Sequence, residues 1–233
     1  MFETLLSKTL FILAVSLIFC VLGAYGVLKH FRKAYDSGKE YVTARVNDAG
    51  ELDLIVETSI LYRIFWPALI FNIITFIGLQ FCKDLENWNF ILMSLFTFSD
   101  GITLGVVLIS LDENIGVKVT SLTAITTLLA SLIGMYSGID FSFLEEFLFI
   151  SLCVLICISF FRIFVSINGT KRKLCAGFGI LIFIGYLLFD FNNLSKAQDV
   201  EILNNWDTAL DFAINIYLDI INLFLDILDM LSD

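Results

Sequence analysis

The sequence predicts an all-α, multi-pass membrane protein, a bundle of seven transmembrane helices. Three observations predict it. Of its 233 residues 58% are hydrophobic and only 16% charged, where soluble domains are nearer one quarter charged; the mean hydropathy is +0.89. Seven apolar runs follow one another, and at about 1.5 Å per helical residue each approaches the thickness of a hydrocarbon layer of about 30 Å. The last run carries its acids on one narrow stripe, a pattern that only a helix produces.

The runs cover 9–28, 60–81, 88–110, 117–138, 143–165, 174–191 and 207–231. The whole chain, 1–233, reads as a single transmembrane bundle without a separate soluble domain. Residues 29–58 are too polar to enter lipid and are expected to form a loop or a short surface helix. The second run opens with Tyr62, Arg63 and Trp66, side chains whose heads reach water from a membrane boundary. The fourth places Thr120, Thr123, Thr127, Ser131, Gly134 and Gly138 on one face, where small residues let helices approach closely. The sixth has Gly177, Gly179 and Gly185 as further close-packing points, and it ends near Asp190, placing that acid at the membrane edge. A polar connector, 192–206, leads to the last helix, for which Asp207 is a good N-cap.

Composition excludes several function classes. A formal charge of −10 does not suit nucleic acid and does suit a cation. The single histidine, His30, lies in a charged segment, which argues against histidine-based zinc sites and Ser–His chemistry. The five cysteines form no CxxC, so packing is their expected role. No HExxH, GxSxG or P-loop occurs, and no enzyme activity or cofactor is expected.

On a helical wheel Asp211, Asn215, Asp219, Asn222, Asp226, Asp229 and Asp233 fall within an arc of roughly 80°. The stripe runs about 33 Å. Helices that lie on a membrane surface usually show Lys and Arg on their polar face; this one shows acids and amides only. A buried helix with its stripe toward other helices or a wet cavity is the sharper reading, since carboxyls at membrane depth are costly unless paired, protonated or hydrated. Asp211 and Asp226, with Asn215 and Asn222, are therefore candidate pore or cavity groups. Asp100, near the centre of the third run, is another candidate, or else a neutral acid hydrogen-bonded within the packing. Seven spans alternate in direction, so Lys83, Asp190 and the start of the last helix share one side. Asp190 approaches the stripe if the connector folds back; otherwise it is an ordinary solvated helix-end acid.

Several segments resemble the BAX inhibitor-1 family of transmembrane proteins. INIYLDIINLFLDILDML is similar to that family's YLDxINLFLxLL helix, and LLFDFNNL to the LxFD segment ending its sixth helix. SLIGMYSGIDFSFLEEFLFISLCVL resembles the stretch bridging its fourth and fifth helices, where DFSFLGGFLF is typical; here Glu145 and Glu146 replace the Gly-Gly. LFTFSDGITLGVVL is similar to its third helix. The similarity spans about 65–231. It implies a seven-helix fold with the C-terminal helix central, and a pH-sensitive calcium leak whose sensor is Asp190 with Asp219. It also implies a basic latch late in the second helix, where Lys83 is the nearest match. The family orientation puts the N-terminus in the cytoplasm; the distribution of Lys and Arg among the loops favours the opposite one.

The first functional expectation is therefore a calcium-permeable leak channel gated by protonation, with Ca²⁺ as permeant ion or bound between Asp190 and Asp219. Two carboxylates close together and away from water cannot both ionise cheaply, and Ca²⁺, which prefers carboxylate oxygens, competes with a shared proton. The second is a regulatory protein that binds a membrane-protein partner, a membrane protease or a cell-death regulator, without transport. An intramembrane aspartyl protease also needs two membrane aspartates, but its GxGD motif is absent. The expected surroundings are the lipid bilayer: the plasma membrane of a bacterium, or an endomembrane of a eukaryote.

Overall fold

A computed structural model describes residues 2–46, 52–81, 88–109, 113–164 and 169–232. Among them are seven α-helices: α1 Leu5–Asp36, α2 Thr58–Phe81, α3 Trp88–Leu108, α4 Glu113–Tyr136, α5 Glu145–Phe164, α6 Thr170–Ala197 and α7 Trp206–Leu231. All but α7 are long and apolar enough to cross a membrane. At 26 residues, about 39 Å, α7 has the length as well, but its apolar surface is interrupted by the acidic stripe. The chain is an all-α, multi-pass membrane protein. Many apolar side chains on its helices face outward, among them Ile70 and Ile74 on α2, Leu128 and Leu129 on α4, and Phe149 and Ile150 on α5. Such surface suits acyl chains.

The chain forms two compact units. One is Phe11–Gly116. In it α1 and α3 meet through small residues. A Cβ added at Gly101 would lie 1.9 Å from the Cys20 carbonyl oxygen, and one at Gly23 would lie 2.3 Å from that of Phe98. Polar bonds tie α2 to α3. Asn72 Nδ2 donates to the Phe96 carbonyl at 3.2 Å, and Ser99 Oγ donates to that of Ala68 at 2.8 Å.

The segment 29–58 departs from the expected loop. Helix α1 continues through it to Asp36, and two strands, β1 Val42–Val46 and β2 Leu52–Val56, pair antiparallel. Val42 and Val56 face each other in register and are buried with Val27, Phe31, Ala34, Val106 and Ile109. The hairpin forms because its inward residues complete an apolar cluster at the ends of α1 and α3. Its signal was present as β-branched residues on either side of Asn47-Asp48-Ala49-Gly50, positions 47–51 themselves lying outside the described residues.

The other unit combines Met1–Leu10 with Val117–Asp233. Within it α6 and α7 pack along each other, and α5 lies against α6. Helix α6 is longer than its apolar run, because Asn192, Leu194 and Ala197 are buried and extend the packed face beyond Phe191. The expected connector is thereby reduced to a short 3₁₀ turn, Glu201–Leu203, and its flanks. The N-cap of α7 is Asn205, not Asp207: its side chain accepts from the Thr208 amide at 2.8 Å. Asp207 lies in the first turn, where a negative charge still favours the helix dipole.

The glycines yield a direct test. Gly101→Ala forces α1 and α3 apart and should destabilise the protein by about 1–3 kcal/mol. Gly177→Ala should be neutral or mildly stabilising, because nothing lies within 4 Å of its added carbon; Gly177 is thus not the close-packing point expected from sequence. Unfolding of both variants in detergent micelles measures the difference.

Candidate functional site

Asp190 lies inside α6, 8% exposed, and Asp219 lies inside α7, 7% exposed. Their side chains hydrogen-bond to each other. Asp190 is therefore not at a solvated helix end. The extension of α6 to Ala197 places it within the packed region facing α7. Flanking apolar contacts set the approach: Leu187 and Leu194 on α6, and Ala213, Ile216, Tyr217 and Leu223 on α7, have no exposed surface.

A hydrogen bond between two carboxyl groups needs a proton on one of them. Asp219 Oδ2 is buried and meets no hydrogen-bond donor among the described residues. An ionised oxygen in that position would be strongly disfavoured. The proton therefore both removes the repulsion and relieves the desolvation. The hydroxyl of Tyr186, one turn before Asp190 on α6, lies within electrostatic reach of both carboxyls.

The rest of the stripe does not share one environment. Asp211 and Asn215 are exposed, Asp219 is buried, and Asn222, Asp226 and Asp229 are half-buried. Asn222 Nδ2 donates to the Leu218 carbonyl of its own helix at 2.8 Å. The Asp226 carboxyl rests against Gly179 of α6, where a Cβ would lie 2.1 Å from Oδ2. Asp229 accepts from two arginines, Arg162 Nη2 at 2.9 Å and Arg172 Nε at 2.6 Å. The stripe is thus open at its start, closed at the pair and charge-compensated at its end. Asp100 is half-buried in α3, in the other unit; the Thr103 hydroxyl donates to its backbone carbonyl at 2.7 Å. Lys83 lies outside the described residues. Among the described residues no group of three or more His, Cys, Asp or Glu is placed to hold a metal.

Two supports of α6 were not singled out from sequence. Asn192 is buried two residues past Asp190. Its Nδ2 donates to the carbonyls of Gly134 and Ile139, both at 3.0 Å, and its Oδ1 accepts from the Phe141 amide at 3.2 Å. One side chain thereby joins the end of α4, the turn after it and α6. Gly134 makes room: a Cβ there would lie 2.7 Å from the Leu188 carbonyl oxygen. Lys196, one turn further, pairs with Asp140 and donates to Ser142 Oγ at 2.9 Å. Spacing from Asp190 carries no signal for Asn192, because residues two apart on a helix do not share a face; its polarity places it in the expected connector.

Asp140 lies in the turn before α5. The Lys196 ammonium and then the Ser142 amide hold its carboxyl well below its ordinary value of 3.8. The sign follows from linkage. A depressed carboxyl contributes stability that is present above the ordinary value and lost only as pH falls through the depressed one. Asp140 should not contribute to any response near neutral pH, and Lys196→Gln should bring its titration back toward 3.8, readable by carbon NMR of the labelled carboxyl. Asn192→Ala should cost about 1–3 kcal/mol, since it strands buried backbone groups; an Asn192→Ala protein as stable as the parent would contradict the assigned role.

Comparison with known proteins places the chain in a family. The family model described as Inhibitor of apoptosis-promoting Bax1 matches residues 3–233. Protein LIFEGUARD 1 of Arabidopsis thaliana is 28% identical over 184 residues, 78% of this chain and 76% of that protein. A BI1-like protein of the same plant is 38% identical over 61% of this chain and 55% of its own length. The Golgi anti-apoptotic protein of Vaccinia virus (strain Lister) is 34% identical over 67% of this chain and 65% of its own. With a family match over nearly its whole length and this membrane-helix architecture, the chain belongs to the BAX inhibitor family of integral membrane proteins.

Proposed function

We propose that the protein is a pH-sensitive, calcium-permeable leak channel whose gate is the Asp190–Asp219 pair. The observation that supports this most is the buried hydrogen bond between two carboxyl groups from neighbouring helices. A pair of this kind titrates as a unit. With one proton it is bridged and holds α6 to α7. Loss of that proton restores like-charge repulsion, and gain of a second removes the charge-assisted bond. Either change loosens the contact, so the pair converts proton concentration into helix separation.

Calcium enters as cargo. Ca²⁺ takes six to eight oxygen ligands, and two carboxyl groups supply at most four. The pair therefore suits a partly hydrated ion in passage better than a permanently bound one. The exposed Asp211 and Asn215 offer such an ion an acidic approach along the same helix face.

A second reading draws on the relatives' names. The viral relative is called a Golgi anti-apoptotic protein, which suits a regulator that acts by binding a membrane partner. The two readings diverge in a purified system. Liposomes loaded with a calcium indicator should admit Ca²⁺ at a rate that varies with pH. Asp190→Asn and Asp219→Asn keep the side-chain shape but remove the coupled titration, so each should flatten that profile. An unaltered profile in both variants would remove the pair as sensor, and no flux in the parent would favour the binding reading.

A further inference from the structure

We infer that Asp229, gripped by Arg162 of α5 and Arg172 of α6, is a second closure on the acidic stripe, in which resident guanidinium groups occupy the carboxylate that a passing cation would otherwise meet. The inference rests on the leak reading and goes beyond it, because this closure is separate from the aspartate pair. Asp229 lies ten residues beyond Asp219, about 15 Å along the helix. Between them on the stripe stand only Asn222 and Asp226, both half-buried.

The geometry is specific. Each oxygen of Asp229 takes a different arginine from a different helix, Arg162 on Oδ2 and Arg172 on Oδ1. Arg172 also donates to Ser232 Oγ, just past the end of α7. The side chains of Arg162, Arg172 and Asp229 are 32%, 25% and 21% exposed, so their attraction is less screened than that of a surface pair. One turn earlier Asp226 feels both Asp229 and Arg162, and Gly179 leaves the space that its carboxyl fills. Two positive charges therefore meet Asp229, the last stripe acid among the described residues. A divalent ion moving along α7 must displace a guanidinium to use the Asp229 carboxylate.

A purely structural tie between three helix ends would share this geometry, and the variants separate the two roles. Arg162→Gln with Arg172→Gln frees Asp229 and should raise Ca²⁺ entry into liposomes several-fold. Asp229→Asn breaks the same two bonds but leaves both guanidinium groups uncompensated, so it should lower entry. Loss of a mere tie would move both variants in the same direction. The single variant Arg162→Gln, which keeps Arg172 on Asp229, should fall between the parent and the double variant and guards against misfolding of the latter. If the Asp219→Asn protein shows an altered pH profile while the arginine and Asp229 variants move together or not at all, the second closure is overturned and the gate survives. If no variant and no parent admits Ca²⁺ at any pH, both are overturned.

Discussion

The structure depends on how a membrane helix disposes of carboxyl groups. An unpaired, ionised carboxylate inside a bilayer is costly, and α7 carries Asp211, Asp219, Asp226 and Asp229 on one face, the last three of them out of full exposure. These three are dealt with differently. Asp219 is bridged to Asp190, Asp226 is housed against Gly179, and Asp229 is neutralised by two arginines. All three arrangements involve α6. The close packing of α6 on α7 is therefore what makes so acidic a helix tolerable in this setting.

Helix α6 must in turn be held in place. At one end Asn192 and Lys196 fasten it to the turn between α4 and α5, and Gly134 lets α4 approach its backbone. At the other end Arg172 fastens it to the end of α7. The aspartate pair sits between these two anchorages. In the proposed reading its hydrogen bond is the contact along this interface whose strength varies with proton concentration. A contact that is weak at one pH and strong at another, set between fixed ends, is a physical basis for a switch.

Much of this was legible in the sequence, but not evenly. The wheel of α7 placed the stripe, and membrane energetics required its acids to be satisfied. Nothing in periodicity alone named Asp190 as partner of Asp219; the family's LxFD and YLDxINLFL segments did. The hairpin was missed because a charged, polar segment after a membrane run reads as a loop, and its few inward valines matter only when α1 and α3 supply the rest of the cluster. The end of α6 was missed because Asn192 counted as polar, whereas its three hydrogen bonds make it a buried residue. In the sequence Arg162 and Arg172 stand at the margins of the fifth and sixth apolar runs. Their common partner is 57 and 67 residues away along the chain, a separation that local patterns do not carry. The N-cap differed by two positions because Asn205 and Asp207 are both good caps and only backbone geometry chooses between them.

The central claim is that the two aspartates share one proton. Infrared difference spectra of the protein in lipid, recorded across pH with carbon-labelled aspartate, read that proton directly as the stretch of a protonated carboxyl. The account predicts a protonated-carboxyl band near neutral pH that disappears at higher pH and is altered by either Asp190→Asn or Asp219→Asn, while Asp140→Asn leaves it in place. Spectra in which all carboxyls are ionised near neutral pH, or in which the band is indifferent to both substitutions, would contradict it.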